Sequence, residues 1–544
     1  MKILPPLYEA LRFLILDIQK QLQTIQDGLE REDPTLFDKS LERIDYIENA
    51  HINLLNRAGA TYCADSCRNE RLNIQCYEHI STSLKALSSR LQELTYQLKQ
   101  MKSLKLIQKK PVYQAFDSLN KGLSLISAAI ESESLGLAID ICRLQVRIDK
   151  TCDQQLDKYK KSLKTGQQTE ALLQASFILK DVSIMGQALL RVGEGIISAN
   201  VGQFIQIDRY QALEASLSEL DHQLSQNDLK IHSMGETKSG CTISGVGTAS
   251  EAEHSILAIF KEGKKRKLQE EKAGIESWHQ KFPGIAPEVY SYQKQGDKAS
   301  LLFEYLTGQT FDKLLLEKDN KHLKKGLNTL FNTLLDIWQT TRIKEPRSAD
   351  FMRQLHKRLG SIYDVHPNFN LKGLQIGNVK QPSLEKLVEE AEKIERDLQV
   401  PNAVYIHGDF NTDNIIYDAL TDQISFIDLH RSEYMDYVQD LSVLIVSFYR
   451  LTYFDPDTRK RIARSMEAIY DFGHDYAEQI RDRDYEIRMA LGLARSFLTS
   501  TRFVLDQEHA KSMHHKGRFL IEQLIQLDKT QRKNYMIPKE IFHD

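Results

Sequence analysis

The stretch YIHGDFNTDNIIYDALTDQISFIDLHRSEYMDYVQDLSVLI, residues 405–445, decides the fold of the C-terminal part of the chain. A short apolar strand reaches a turn at Gly408, Asp409 follows the turn, and Asn414 lies five residues further on. The segments 415–418 and 424–428 predict two short strands joined by a turn, with Asp428 at the end of the second strand. This folding-back predicts that Asp409, Asn414 and Asp428 lie at one rim and present oxygen atoms there.

Oxygen donors in this arrangement suit phosphoryl transfer. One carboxylate orients an attacking hydroxyl and accepts its proton, while an amide and a second carboxylate hold Mg²⁺ against nucleotide phosphates. Hard oxygen ligands favour Mg²⁺ and do not select zinc. The competing interpretation is a β-hairpin with carboxylates in its turns, but turns do not explain Asp409, Asn414, Asp428 and Asp440 together.

The same stretch resembles the aminoglycoside phosphotransferase family, which shares a protein-kinase-like fold with choline kinases. The resemblance rests on HGD at residues 407–409, on Asn414, on Ile427-Asp428, and on Asp436 with QDL at residues 439–441. It implies that Asp409 is the catalytic residue, that Asn414 and Asp428 bind Mg²⁺, and that ATP is the phosphoryl donor. Two residues would support them: His407, and Asp440, which would lie at a helix start and accept hydrogen bonds from the backbone of the catalytic loop. The sequence departs from the family at Leu429-His430, where a glycine is common.

Upstream, glycine-separated apolar runs at 229–234, 241–246, 255–260 and 300–306 predict strands. The resemblance gives these runs nucleotide-binding roles. Lys261 would bind the α- and β-phosphates, although it also belongs to the basic run KEGKKRK, and its glutamate partner would be Glu271 in preference to Glu270. Gly235 and Gly240 would frame a phosphate-covering loop, for which an ordinary hairpin is the alternative. The backbones of Glu304 and Leu306 would pair with adenine.

Residues 1–228 predict successive helices, because apolar residues recur at spacings of three and four. One stripe runs from Leu7 to Leu29, and another runs from Ile80 to Leu98. Asp33-Pro34 predicts a stop and a restart, with a second helix over about 36–57. Three further helices are expected over about 112–133, 135–163 and 168–212, which makes two three-helix units.

This part resembles the PhoU-like family of helical bundles, which act in phosphate-uptake regulation. The resemblance rests on DPTLFDKSLERIDYIENAHINLL (33–55) and KDVSIMGQALLRVGEGI (180–196). Where that family places paired acidic residues on its third and sixth helices, this chain has Ser83 with Leu87 and Ser183 with Gln187. Because hydroxyl, amide and aliphatic groups do not replace anionic ligands, we expect no metal cluster there.

The 544 residues carry a net charge of −3, which argues against a nucleic-acid partner. The six cysteines are too sparse for a disulfide framework and lack a complete zinc pattern, so free thiols are expected. No apolar segment is long enough to span a membrane, and the first residues lack the order of a signal peptide, so a cytoplasmic protein is expected.

The predicted fold is therefore multidomain, with an all-α, PhoU-like bundle over 1–228 followed by an α+β, two-lobed, protein-kinase-like domain. Its small lobe would cover 229–308 and its large lobe 309–544. The predicted function is an ATP- and Mg²⁺-dependent kinase acting on a hydroxyl of a small molecule, fused to a helical regulatory bundle that offers a surface for a protein partner. The alternative is a nucleotide-binding regulator that docks on a phosphate-uptake system. An acidic segment at 385–397 would attract a cationic amine or, as the competing interpretation, form a solvated helix face.

Overall fold

The structure, a computed structural model, describes residues 1–62, 68–101, 104, 107, 109–166, 168–217, 229–236, 242–248, 256–317 and 320–543. The chain divides into two compact units, Met1–Glu262 and Gly263–Asp544. Among the described residues, no helix combines the length and apolar character that a membrane crossing requires.

In the part of the first unit that the structure describes, eight helices come first. They are α1 (Pro5–Arg31), α2 (Pro34–Glu42), α3 (Ile44–Thr61), α4 (Arg68–Gln100), α5 (Lys109–Glu131), α6 (Leu135–Leu163), α7 (Thr169–Val201) and α8 (Ile207–Leu217). The predicted stripes are confirmed, since every predicted apolar position of α1 from Leu7 to Leu29 and of α4 from Ile80 to Leu98 is at most 2% exposed. Burial of such stripes against neighbouring helices is what stabilises thin helices of this kind.

Two helix boundaries differ from the prediction. The expected helix over 36–57 is broken at Arg43, where no glycine or proline marks the break in the sequence. The expected helix over 168–212 ends at Val201, because Gly202 adopts a left-handed conformation with φ 91° and donates its N–H to the Ser198 carbonyl. A glycine in that conformation is a common helix terminator, so this second boundary carried a readable signal.

The end of the first unit contains strands, in agreement with the predicted runs. They are β1 (Leu229–Glu236), β2 (Thr242–Thr248) and β3 (Ile256–Lys264), whose last residues pass into the second unit. β2 pairs antiparallel with both β1 and β3. Within this arrangement Ile243 lies opposite Lys261.

The second unit contains short antiparallel sheets. Its strands are β4 (Val289–Gln295), β5 (Lys298–Glu304), β6 (Gln309–Thr310), β7 (Leu374–Ile376), β8 (Val379–Gln381), β9 (Val404–Ile406), β10 (Ile415–Asp418), β11 (Gln423–Phe426) and β12 (Glu433–Met435). β4 forms a hairpin with β5, β10 pairs with β11 and β6, and β9 pairs with β12. The predicted strand at 415–418 is confirmed as β10. The predicted strand at 424–428 corresponds to β11, which ends at Phe426, two residues before Asp428. β4 and the hairpin of β7 and β8 were not predicted.

Helices form the rest of the second unit. They are α9 (Lys265–Lys281), α10 (Phe311–Leu316), α11 (Asn320–Thr341), α12 (Phe351–His356), α13 (Leu359–Val365), α14 (Leu384–Glu395), α15 (Val438–Tyr449), α16 (Pro456–Ile480), α17 (Tyr485–Ser500), α18 (Gln507–Gln526) and α19 (Lys529–Arg532). α15 is the central helix, since nearly all of its residues are buried. The all-α region followed by an α+β region is thus confirmed.

Candidate active site

The candidate catalytic loop, residues 407–414, joins β9 to β10. β9 pairs with β12, with Ile406 opposite Glu433, and this pairing fixes the position at which the loop begins. Gly408 then turns the chain with φ 82°, and a Cβ at this position would lie 2.3 Å from the carbonyl oxygen of Arg431. Only glycine satisfies both the backbone conformation and the close approach. The turn places Asp409 immediately after it.

Asp440 holds the backbone of this loop. It lies in the first turn of α15 and is 2% exposed. Its two carboxylate oxygens accept the N–H groups of His407, at 2.7 Å, and Gly408, at 2.9 Å. Burial raises the pKa of Asp440 to about 7, although the two N–H groups oppose the shift. The central helix and the catalytic loop are therefore joined by one buried carboxyl group.

His407 provides a second connection. Its Nε2 lies 2.9 Å from the carbonyl oxygen of Ile427, and its Nδ1 accepts the N–H of Asp409 at 3.3 Å. This pattern assigns the neutral tautomer protonated on Nε2. Burial lowers the pKa of His407, which agrees with a neutral ring. The histidine thus ties the start of the loop to the residue before Asp428.

The carboxylate of Asp409 is accessible, since about a quarter of the side chain is exposed. Asn411 donates its amide to one oxygen at 2.9 Å, and the guanidinium of Arg431 lies 3.1 Å from the other. The backbone carbonyl of Asp409 accepts the side-chain amide of Asn414 at 2.8 Å. The group is therefore fixed on several sides while it remains open to solvent.

Asn414 and Asp428 lie at the same end of the hairpin formed by β10 and β11. Ile415 pairs with Phe426, and the Ile427 N–H donates to the Asn414 carbonyl at 3.1 Å, so Asp428 follows directly. Because the Asn414 amide nitrogen is used by the loop, its Oδ1 is the atom left for a ligand. Asp428 has φ 62°, a conformation that costs roughly 1–3 kcal/mol outside glycine and is concentrated at functional sites.

These donors fit a hard divalent cation. An amide oxygen and a carboxylate are the ligands that Mg²⁺ takes alongside substrate phosphates.

Among the described residues, no group of three or more His, Cys, Asp and Glu side chains is arranged to hold a metal ion. Ser183 of the helical region donates its hydroxyl to Asp149 at 2.7 Å.

Asp436 belongs to a buried ion network before α15, which the sequence did not reveal in full. Arg488 on α17 lies 2.7 Å from Asp436 and 2.6 Å from Asp482, and all three side chains are at most 3% exposed. Asp436 also accepts the N–H of Val438 at the start of the helix. The network fixes the helix that carries Asp440. Its distant members follow no local spacing, so only Asp436 was visible as a motif residue.

The predicted nucleotide-binding residues are distributed over both units. Lys261 on β3 and Glu271 on α9 are each 4% exposed, whereas Glu270 is more exposed and pairs with Arg266 on the helix surface. Glu304 ends β5, and Leu306 follows in an irregular, half-buried segment. Gly235 lies in β1, and Gly240 lies outside the described residues. Their binding roles stay predictions.

Gly274 on α9 was missed by the sequence interpretation. A Cβ there would lie 2.1 Å from the carbonyl oxygen of Leu429, the residue after Asp428. The helix that carries Glu271 therefore rests directly on the backbone beside the candidate metal ligand. A helical glycine in the segment EEKAGIESW is a signal for such close packing.

Several solved structures are similar to parts of this chain. A search of curated proteins finds no match. PhoU from Pseudomonas aeruginosa is similar at 13% identity, covering 36% of this chain and 94% of its own, with a TM-score of 0.34. An ethanolamine kinase from Plasmodium vivax is similar at 14% identity, covering 60% and 89%, with a TM-score of 0.34. A choline kinase from Cryptosporidium parvum is similar at 12% identity, covering 58% and 97%, with a TM-score of 0.34.

The family comparison covers the catalytic loop, the candidate metal ligands and the start of α15. Residues 249–480 match the model described as the phosphotransferase enzyme family. The C-terminal region of this chain is therefore similar to the phosphotransferase enzyme family.

Proposed function

We propose that the C-terminal region transfers the γ-phosphoryl group of ATP to a hydroxyl of a small molecule in the presence of Mg²⁺. The proposed small lobe covers residues 229–308, and the proposed large lobe covers 309–544. The observation that carries the proposal is the candidate catalytic loop, in which the accessible Asp409 follows a backbone turn that His407 and Asp440 hold in place.

In the proposed reaction, Asp409 orients the acceptor hydroxyl and accepts its proton. The acceptor oxygen then forms a bond to the γ-phosphorus, while the bond from that phosphorus to the bridging oxygen of ADP breaks. A rigid loop favours this role, because positioning of the reactants accounts for much of the catalysis of phosphoryl transfer. Asn411 and Arg431 hold the two carboxylate oxygens in the observed orientation.

Asn414 and Asp428 would hold Mg²⁺, whose charge would offset that of the nucleotide phosphates. Lys261, with Glu271 as its partner, would bind the α- and β-phosphates. Gly235 and Gly240 would frame a loop over the phosphates, and the backbones of Glu304 and Leu306 would pair with adenine. Burial of Lys261 supports this assignment over a solvated basic run.

The test is ADP formation over a panel of hydroxyl compounds with Mg²⁺, using the full chain and Asp409→Asn. Loss of the general base is expected to lower turnover by about 10²–10⁴-fold. Asp422→Asn is the matched control, since Asp422 lies at the tip of the same hairpin with φ 56°, which asparagine tolerates. Undiminished turnover in Asp409→Asn would refute the catalytic assignment.

The helical region would serve as a regulatory bundle in the cytoplasm, with a protein partner on its surface. Tight binding of ATP and Mg²⁺ without transfer to any acceptor, together with co-purification of a phosphate-uptake transporter, would instead identify a nucleotide-binding regulator. The two outcomes are separated by the same turnover assay.

A further inference from the structure

Five arginines from separate elements are called the arginine cluster, and four of them interact with the candidate catalytic carboxylate of Asp409. The five are Arg358 before α13, Arg431 in the loop before β12, Arg450 at the end of α15, Arg495 on α17 and Arg502 in the 3₁₀ turn Thr501–Phe503. Arg431 pairs directly with Asp409 at 3.1 Å. Burial lowers the pKa of Arg358, Arg450 and Arg495, and the negative charge of Asp409 opposes the shift in each.

Aromatic and backbone contacts hold two members of the cluster beside each other. The guanidinium carbon atoms of Arg502 and Arg450 lie 4.8 and 5.8 Å from the ring centroid of Phe503. Arg502 also donates Nε to the Thr499 carbonyl at 2.8 Å. His366, which follows α13, lies 3.0 and 2.9 Å from two carbonyl oxygens flanking this turn. The contacts of His366 therefore hold the elements that carry Arg358 and Arg502 next to each other.

Arg495 is the buried member of the cluster. It is 4% exposed, its Nη2 donates to Gln439 at 2.8 Å, and its Nε has no hydrogen-bond partner in the part of the chain that the structure describes. Its guanidinium lies 5.4 Å from the ring centroid of Phe351. It forms no ion pair with a described carboxylate. Asp409 and the buried Glu395 act on Arg495 electrostatically without forming an ion pair with it. A buried guanidinium that lacks a paired carboxylate is unfavourable, so its retention indicates a negative group that arrives with a ligand.

The members of the cluster also repel one another. The positive charges of Arg502 and Arg431 contribute, after burial, to the lowered pKa of Arg358, and Arg431 acts in the same way on Arg502. Arg358, like Arg495, forms no ion pair among the described residues. The carboxylates whose negative charges act on the cluster are Asp409, Asp413 and Glu395, three against five guanidinium groups. Planar guanidinium groups are the side chains best suited to bind phosphate or carboxylate in two-point contact.

We propose that the arginine cluster binds an anionic group of the acceptor, so that the phosphorylated hydroxyl belongs to a compound already carrying a phosphate or a carboxylate. The inference rests on the proposed function and names its substrate class. The acidic segment 385–397 does not argue for a cationic acceptor, since α14 is a partly solvated helix on which Glu390 pairs with Lys393 and Glu392 with Arg396. The cluster beside Asp409 gives the site the opposite charge preference.

The first test measures binding by calorimetry to the full chain in the presence of Mg²⁺ and a non-hydrolysable ATP analogue. The probes are glycerol, glycerol 3-phosphate and glycerate, then glucose and glucose 6-phosphate, with choline as the cationic comparison. We expect a charged member to bind at least about tenfold more tightly than its neutral counterpart, as charge-assisted hydrogen bonds require. The two three-carbon anions distinguish phosphate from carboxylate. The proposal is overturned if no anionic probe binds more tightly than its neutral counterpart, or if choline binds best.

The second test uses Arg358→Ala and Arg502→Ala, each of which should weaken the anionic probe about tenfold or more. Arg358→Lys and Arg502→Lys retain the charge and should restore part of the affinity, which shows that a loss does not come from misfolding. Arg353→Ala is the matched control, because this exposed arginine on α12 pairs with Asp350. A loss confined to the nucleotide analogue would overturn the assignment, because the cluster would then bind the donor.

The two proposals fail in different ways. Selective binding of anionic probes without Asp409-dependent transfer would retain the cluster assignment and refute the kinase. Asp409-dependent transfer to neutral or cationic acceptors alone would retain the kinase and refute the cluster assignment.

Discussion

Replacing Gly274 by alanine adds one methyl group at the contact between α9 and the residue that follows Asp428. The added Cβ would lie 2.1 Å from the Leu429 carbonyl oxygen and 2.8 Å from its carbonyl carbon. Reaching 3.0 Å, below which real Cβ atoms essentially never approach, requires a movement of about 0.9 Å. Leu429 is fully buried, so the backbone has little space into which it can retreat.

The expected loss of stability in Gly274→Ala is too small to unfold the domain, so a loss of turnover would report a displaced backbone. Overpacking costs about 1–3 kcal/mol, and alanine recovers about 1 kcal/mol of helix propensity, so the net loss of stability is at most about 2 kcal/mol. A domain with an ordinary stability of about 5–15 kcal/mol stays folded after that loss. A displacement of about 1 Å next to a reacting centre, in contrast, lowers turnover by up to about 10²-fold.

The assay is ADP formation with the accepted hydroxyl compound as a function of Mg²⁺ concentration. Because Asp428 is a proposed ligand, Gly274→Ala should both lower turnover and raise the Mg²⁺ concentration needed for half of the maximal rate. Gly59→Ala on α3 is the matched control, since no heavy atom lies within 4 Å of the position its Cβ would occupy. Wild-type turnover and Mg²⁺ dependence in Gly274→Ala would refute the claimed coupling between α9 and the metal ligand.

Three further predictions concern the loop and a buried histidine. Asp440→Asn leaves the N–H of His407 or Gly408 without an acceptor, costs about 1–3 kcal/mol in urea unfolding, and lowers ADP formation at least about tenfold. Gly408→Ala brings Cβ to 2.3 Å from the Arg431 carbonyl oxygen at a positive φ, and its ADP formation should fall without recovery at higher Mg²⁺. Burial lowers the pKa of His514 from 6.5 to about 4, so the unfolded chain binds more protons between these values. Stability is therefore lost as pH falls from about 6.5 to 4, by up to about 3 kcal/mol, and urea unfolding of His514→Phe should show a smaller loss.

Local periodicity was sufficient to predict most of the helical region. The stripe from Leu7 to Leu29 gave α1, because a helix face that is apolar over many turns has only one stable environment, a packed interior. The break at Arg43 was not predictable, since its residue type is compatible with helix and only tertiary packing selects the interruption. Gly202, in contrast, is a helix-ending signal in the sequence itself, although the strong apolar pattern around it predicts a continuing helix.

Prediction of the strands is limited in the same way, because pairing with neighbouring strands decides what local sequence patterns leave open. β10 and β11 were predicted because a turn-forming stretch separates two short apolar runs. In β4, with the sequence VYSYQKQ, apolar and polar residues alternate only weakly, and pairing with β5 makes this segment a strand. Short strands such as β7 and β8 contain too few residues for periodicity to distinguish them from loop.

The candidate catalytic and metal-binding residues differ from the arginine cluster in how far the sequence alone predicts them. Phosphoryl chemistry needs donors at fixed separations, and a single strand–loop–hairpin segment provides them, so Asp409, Asn414 and Asp428 lie close in sequence. Acceptor recognition needs only that charges converge in space, and each arginine of the cluster comes from a different element. No spacing rule joins Arg358 to Arg502, and only the packing of α13 against the turn at 501–503 brings them together. The reaction class can therefore be predicted from the sequence, whereas the charge of the acceptor can be inferred only from the fold.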